Sequence, residues 1–124
     1  MHLKFTYDSA HRRFLCRFRL SQRYAGPPGH CHGGIIATVL DDAMSKLNKP
    51  RQVTAATAKM TVEYLRPVPL NQSLQVESRE LSKRGRSLVR TAEITDKKQQ
   101  VLARGRAVFV IVDPDHVFRR ALPK

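Results

Sequence analysis

A single helical pattern set among strand patterns most constrains how this chain can fold. Apolar side chains recur with helical spacing on one face of the segment from Gly33 to Leu47, at Ile35, Ile36, Val39, Leu40, Ala43 and Leu47. Asn48 and Pro50 are expected to end this helix. Before it, residues 13–20 alternate between apolar and mostly basic side chains, which predicts one half-buried strand.

Four further strand patterns follow the helix. They cover residues 54–66, 72–83, 86–95 and 100–112. The spacers Lys83-Arg84-Gly85 and Asp96-Lys97-Lys98 are typical of hairpins. In the first of these strands, alternation predicts that one side is shared by Ala56, Ala58, Met60, Val62 and Tyr64. One strand, one long helix and four meandering antiparallel strands predict an α+β fold in which a curved sheet covers the helix.

The length of 124 residues predicts a single domain, with a core at about residues 10–112 and a basic tail at residues 113–124. No apolar signal-peptide region and no run long enough to span a membrane occurs in the sequence. The two cysteines show no spacing pattern of a disulfide framework. We therefore expect a soluble protein of the reducing cytoplasm.

The chain is strongly basic, because Lys and Arg outnumber Asp and Glu by 23 to 10. Such an excess favours an anionic ligand, although a generally solvated surface is the simpler explanation. A small nucleic-acid-binding domain would account for the charge directly. No aromatic RNA-binding signature or recognition-helix pattern accompanies it, so we do not expect nucleic acid as a partner.

The segment from Gly26 to Asp42 carries the candidate site. A turn at Pro27-Pro28-Gly29 and the polar His30-Cys31-His32 lead into Gly33-Gly34 at the predicted helix start. Two glycines leave backbone N–H groups uncovered at the positive end of the helix dipole, where a ligand oxygen can approach them. Asp41, two turns further along, gives the same helix a possible base or nucleophile.

A metal site is the alternative interpretation of the same segment. Adjacent residues such as His30-Cys31-His32 do not easily supply three tetrahedral ligands, and no CxxC or HxxxH cluster accompanies them. We therefore expect neither a metal nor another cofactor.

The position of Asp41 on the helix predicts an assembly. At 100° per residue it projects roughly opposite the centre of the apolar face, beside the small residues Ala37, Thr38 and Ser45. A small polar face of this kind indicates close approach by a ligand or another subunit. A homo-oligomer, either a dimer or a dimer of dimers, is the expectation.

These residues resemble a known family. The string HGGIIATVLD from His32 to Asp41, then Thr57, Tyr64-Leu65-Arg66-Pro67 and Lys83-Arg84-Gly85-Arg86, is similar to the hotdog-fold acyl-CoA thioesterases, in their phenylacetyl-CoA-thioesterase-like branch. The resemblance runs in order over about residues 10–112. It implies the hotdog fold, a curved antiparallel sheet wrapped around one long helix. It also implies an enzyme that hydrolyses an acyl-CoA to the free acid and CoA.

The resemblance implies four catalytic positions. The N–H of Gly34 polarises the thioester carbonyl, and Asp41 activates water or attacks directly. Thr57 positions the water or the carboxylate across the subunit interface, and His32 is the helix-entry residue that holds the loop. From the residues alone, Thr57 is equally well explained as an ordinary β-branched strand residue. Asp41 has the alternative role of a solvated helix residue, but Asp42 fits that role better.

The implied coenzyme A contacts come from Gly33, Tyr64 and Arg86, while Lys83 and Arg84 meet its phosphates. Without the resemblance, Arg86 would be interpreted as ordinary turn charge.

One position departs from the family pattern. Many members have Asn or a similar polar residue six positions before the His of the HGG motif, where this chain has Gly26. A subset of the family shares the Gly26-Pro27-Pro28-Gly29 sequence. The missing polar group favours an alternative hypothesis, in which the chain is a non-catalytic hotdog protein that binds acyl-CoA.

Overall fold

The computed structural model describes residues 3–26 and 29–112. Pro27 and Pro28 of the predicted turn and the predicted basic tail at 113–124 therefore lie outside the described residues. The main strands are β1 (Thr6–Asp8), β2 (Arg13–Phe18), β5 (Ala55–Tyr64), β6 (Leu74–Arg84), β7 (Ser87–Asp96) and β8 (Val101–Ile111). A short ribbon is formed by β3 (Ala25–Gly26) and β4 (His30–Cys31), and the helices are α1 (Gly33–Ser45) and α2 (Asn48–Arg51).

Six antiparallel strands form one curved sheet in the order β1-β2-β6-β7-β8-β5, and the sheet covers α1. The predicted α+β hotdog fold is confirmed, and the five predicted strands are present within two residues of their expected bounds. The simple meander is wrong in one respect, because β5 pairs with β8 and not with β6. The connection at residues 65–73 is too long for a tight hairpin turn, so it can carry the chain across the helix to the other side of the sheet.

The core lies between α1 and the concave face of the sheet. Val39, Leu40 and Met44 of the helix are completely buried there. At Gly105 of β8 an added Cβ would lie 3.3 Å from Cβ of Leu40. The helix therefore packs unusually close to the sheet at a position where only glycine leaves enough space.

The end of the helix differs from the prediction. α1 ends at Ser45, and residues 48–51 form the second, four-residue helix, which contains Pro50. Pro50 is the third residue of α2, where a backbone N–H has no partner within the helix, so the proline costs no hydrogen bond. The side-chain amide of Asn48 donates to the carbonyl of Ala55 at 2.9 Å and ties α2 to the start of β5.

A β-bulge near Ala58 shifts the register of β5 against β8. On its N-terminal side Thr57 lies opposite Phe109, which is buried on the helix side of the sheet. Met60, beyond the bulge, packs against the same core. The prediction that Ala56 shares a side with Met60 is therefore wrong, because one inserted residue reverses the alternation. The bulge turns Thr57 towards α1.

Among the residues described, no helix combines the length and the apolar character needed to cross a membrane.

Candidate active site

The start of α1 is fixed by His32, which is its N-cap residue. The carbonyl of His32 accepts from the N–H groups of Ile35 and Ile36, and its own N–H donates to the carbonyl of Tyr24 at 2.8 Å. The imidazole Nδ1 accepts the N–H of Gly34 at 3.0 Å. His32 thus lies at the helix entry, where its side chain occupies the donor that the sequence resemblance assigns to the thioester carbonyl.

The residue Tyr64, at the end of β5, reaches the same helix start. Its hydroxyl donates to the carbonyl of Gly33 at 2.9 Å, and its side chain remains more than half exposed. Beside this contact lies an open cavity of about 390 Å³, lined in part by Cys31, Ile36 and Leu65. The predicted substrate residues Gly33 and Tyr64 are therefore in direct contact.

The cysteine beside this helix start is not a nucleophile. Cys31 is buried, and its thiol contacts the carbonyl of His32 at 3.6 Å. Burial raises the pKa of the Cys31 thiol, which keeps it protonated at neutral pH. Burial raises the pKa of Cys16 in the same way. The carboxylate on α1 is thus the better candidate for activating a nucleophile.

Asp41 lies on the half-exposed face of α1, as predicted, and Thr57 lies next to it. The threonine hydroxyl donates to Oδ1 of Asp41 at 2.8 Å. Both residues belong to the same chain, so this hydrogen bond forms within one protomer. The role of Thr57 across a subunit interface stays a prediction. The bulge in β5 explains the contact, because it places Thr57 on the helix side of the sheet.

Within one chain the two ends of the predicted machinery are far apart. Gly34 and Asp41 are seven residues apart on α1, which corresponds to a rise of about 10 Å. Reacting atoms must approach to about 3–3.5 Å. One thioester therefore cannot contact the N–H of Gly34 and be attacked by water held by Asp41 of the same chain.

The basic turn between β6 and β7 is also remote from the helix start. Its residues Lys83, Arg84 and Arg86 are exposed. The carbonyl of Arg86 accepts from the N–H of Ile111, which pairs with the first residue of β5. Tyr64 lies at the other end of this ten-residue strand, about 30 Å away. The structure therefore separates the predicted phosphate contacts from Gly33 and Gly34 within one protomer.

One buried charged cluster was missed by the sequence analysis. Arg90 of β7 is completely buried, and its guanidinium donates to Glu80, to the carbonyl of Met44 and to Asn48. Arg90 follows the inward-facing Leu88 in the alternation of β7. That alternation was the signal that could have identified it. The cluster supports the end of α1, one turn beyond Asp41.

Over residues 3–26 and 29–112, no group of three or more His, Cys, Asp or Glu side chains is arranged to hold a metal ion.

The sequence profile of the thioesterase superfamily matches residues 28–103. Rat acyl-coenzyme A thioesterase THEM4 (Rattus norvegicus) is 30% identical over 110 residues, which cover 88% of this chain and 47% of the rat protein. The chain spans about half the length of the THEM4 relatives that it matches.

Solved structures show the same fold. The thioesterase superfamily protein RHA08564 superposes with a TM-score of 0.82 at 29% identity, over 87% of this chain and 53% of that protein. A hypothetical thioesterase from Streptococcus pneumoniae, solved with coenzyme A, superposes with a TM-score of 0.80 over 90% of this chain and 87% of that one. At 14% identity, the second likeness is evidence for the fold alone.

Proposed function

Because this chain belongs to the thioesterase superfamily, we propose that it hydrolyses the thioester of an acyl-CoA to a free acid and coenzyme A. The observation that carries the proposal is the hydrogen bond of 2.8 Å from Thr57 to Asp41 on the small polar face of α1. It orients a carboxylate on a half-exposed face, beside which a substrate can bind.

The chemistry follows from this geometry. With Oδ1 held by Thr57, Oδ2 of Asp41 takes a proton from water as the water oxygen attacks the thioester carbon. Negative charge develops on the carbonyl oxygen, where the N–H of Gly34 at the positive end of a helix stabilises it. The carbon–sulfur bond then breaks, and the proton held by Asp41 passes to the departing thiolate. Hydrolysis needs no cofactor for these steps.

A parallel in the pneumococcal protein supports the choice of residues. Its structures include one variant with an aspartate replaced by alanine and another with a threonine replaced by alanine. The two replaced positions are separated by sixteen residues, the separation between Asp41 and Thr57.

We propose that the active site is shared between two copies of the chain. The rise of about 10 Å between Gly34 and Asp41 rules out a thioester that uses both from one chain. Two α1 helices packed side by side in opposite directions would bring Gly34 of one copy to Asp41 of the other. Ala37 and Thr38, between them, are small enough to allow close packing of the two helices.

The sheet offers a second surface for the same dimer. Within the described residues β5 pairs only with β8, so its outer edge presents unpaired backbone groups over ten residues. Such an edge is a template for strand pairing. Antiparallel pairing of β5 with its copy would place the two helices next to each other, and a dimer of dimers would require a further surface.

The same arrangement gives the basic turn a role. A two-fold axis near the middle of β5 would bring the turn with Arg84 and Arg86 of one copy close to Gly33 and Tyr64 of the other. Coenzyme A bound at the helix start of one protomer could then place its phosphates on the cations of its partner. This geometry resolves the separation of about 30 Å within one chain.

The first experiment tests the reaction with a panel of short, medium, long and aryl acyl-CoAs, with thiol release as the readout. Asp41→Asn should keep acyl-CoA binding within a few-fold and lower kcat by about 10² or more, because it removes the base and keeps the shape. Asp42→Asn is the matched control, since Asp42 lies towards Cys16 on another side of the helix. Equal losses in both variants would mean that helix stability had been measured instead of catalysis.

The second experiment tests the shared site by subunit complementation. Gly34→Pro removes the backbone N–H in the first helical turn, so its homodimer and that of Asp41→Asn should each be nearly inactive. Mixed and re-equilibrated chains should recover up to about one quarter of wild-type activity, because half of the dimers carry one intact site. No recovery from a mixture whose heterodimers are verified by mass spectrometry would refute the shared site. A monomer in light scattering would refute the dimer itself.

A non-catalytic acyl-CoA-binding protein is the second candidate, and Gly26 is the observation that favours it. Gly26 lies against His32 and brings no polar group to the helix start. Calorimetric binding of acyl-CoA without thiol release from any member of the panel would decide for this function.

A cytoplasmic location remains a proposal, supported by the two free cysteines.

A further inference from the structure

We propose that the imidazole of His32 is a displaceable cap, which leaves the N–H of Gly34 when the acyl carbonyl binds. The proposal rests on the thioesterase function above. It makes His32 a positioning residue that competes with the substrate for a single hydrogen-bond donor, and it does not make His32 an acid or base.

The N–H of Gly34 already has an acceptor in this structure. Nδ1 of His32 accepts from Gly34 at 3.0 Å. The ring also lies over the glycine, since a Cβ built on Gly34 would be 3.2 Å from Nδ1 and 3.4 Å from Cε1. One N–H proton cannot point in line at both the imidazole and a carbonyl oxygen. A thioester that uses this donor must therefore move the ring away.

The surroundings allow the ring to move while the backbone stays in place. His32 is exposed, and its main chain is held independently of the ring by bonds with Tyr24 and with the N–H groups of Ile35 and Ile36. Gly26 lies against His32 from the β3–β4 ribbon, where an added Cβ would be 3.2 Å from Cα and 3.5 Å from Cδ2 of the histidine. The tight distance is to the backbone, and the distance to the ring is an ordinary van der Waals contact. A glycine at position 26 therefore leaves the space beside His32 without a side chain.

The exchange keeps the helix start satisfied in both states. The N–H of Gly34 donates to the imidazole without substrate and to the carbonyl oxygen with it, so no state leaves this donor without an acceptor. A thioester carbonyl is an uncharged acceptor and must compete with the imidazole nitrogen for this donor. An oxyanion is a stronger acceptor, because its hydrogen bonds are charge-assisted. Displacing the ring costs the same for the substrate and for the transition state, so the cap weakens the binding of both alike and should act on KM more than on kcat.

The test is a series of caps at position 32 in the full-length enzyme: His32→Ala, His32→Asn and His32→Asp. Asn and Asp are good N-caps and Ala is a poor one, so the unfolding temperature should be lowest for His32→Ala. Competition predicts that KM for acyl-CoA follows the same order. It should fall about 3- to 10-fold in His32→Ala, the change expected from losing a typical cap, and rise in His32→Asp. The proportional change in KM of His32→Ala should exceed the proportional change in kcat.

The inhibition constant of free coenzyme A is the control, because CoA has the phosphates of the substrate but no acyl carbonyl. This inhibition constant should be the same in the wild type, His32→Ala and His32→Asn. Any change in His32→Asp measures the repulsion between the new carboxylate and the phosphates. A KM that stays constant or rises in His32→Ala while its unfolding temperature falls would overturn the displaceable cap and leave a purely structural one. A wild type that turns over no acyl-CoA would instead refute the proposed function.

Discussion

Replacing Arg90 by Met tests the interpretation of the buried cluster at the end of α1. The guanidinium donates to Met44 O at 3.2 Å, to Asn48 Oδ1 at 2.6 Å and to Glu80 Oε1 at 3.3 Å. It also stacks on Phe109, with 4.6 Å between Cζ and the ring centroid. These contacts connect β6, β7 and β8 to the last turn of α1 and the first residue of α2, so their loss should loosen the support of α1.

The magnitude follows from what remains after the substitution. Removing one partner of a buried ion pair typically costs about 3–5 kcal/mol. Glu80 keeps its second partner, Arg51, which favours the lower end of that range. Two acceptors on Met44 and Asn48 lose a donor, at about 1 kcal/mol each. Methionine fills much of the volume and relieves the buried Nη2 of Arg90, which has no hydrogen-bond partner among the described residues. We expect a net loss of about 3 kcal/mol.

Urea unfolding followed by circular dichroism measures this loss as a lower transition midpoint with an unchanged slope. Arg86→Met is the matched control, because it removes the same charge from an exposed turn and should change the free energy of unfolding by less than about 0.5 kcal/mol. A loss below about 1 kcal/mol in Arg90→Met, or a gain, would refute the reasoning. The cost of burying the charge would then exceed the value of its contacts.

Three further outcomes are expected. Partial burial acts to raise the pKa of Glu80, but Arg51 and Arg90 outweigh it and hold this pKa below its ordinary value of 4.5. The ionised Glu80 therefore stabilises the folded protein above that pH, and this stabilisation is lost as the pH falls below it. Glu80→Gln should therefore narrow the difference in unfolding free energy between about pH 6 and about pH 3.5, measured by urea unfolding at both values. An unchanged difference would contradict the role of Glu80 in this pH dependence. Thr57→Val should lower kcat about 10-fold while Thr57→Ser retains most of it, in steady-state thiol release, because only the hydroxyl orients the carboxylate; equal rates in both would refute that role. Arg86→Ala should raise KM more than it lowers kcat, and an affinity that is insensitive to the 3′-phosphate of the ligand would indicate ordinary surface charge.

The sequence determined the elements and the helix start. Apolar periodicity predicted one helix and five strands, because burial on one face imposes a period that depends on local geometry. The pair Gly33-Gly34 and the position of Asp41 opposite the apolar face could be interpreted in the same way, since both depend on positions along one element. The family resemblance depended on these same residues and is confirmed by the superfamily profile.

Contacts between elements were decided only by the tertiary structure. No local pattern shows that β5 crosses to pair with β8, because a nine-residue connection permits either neighbour. The bulge that brings Thr57 to Asp41 reverses the alternation on which the sequence prediction relied. The hydrogen bonds of Arg90 to Glu80, Met44 and Asn48 likewise join groups that meet only after folding. A one-dimensional pattern reports which face a side chain prefers, whereas its partners are set by the packing of segments that are remote in the chain.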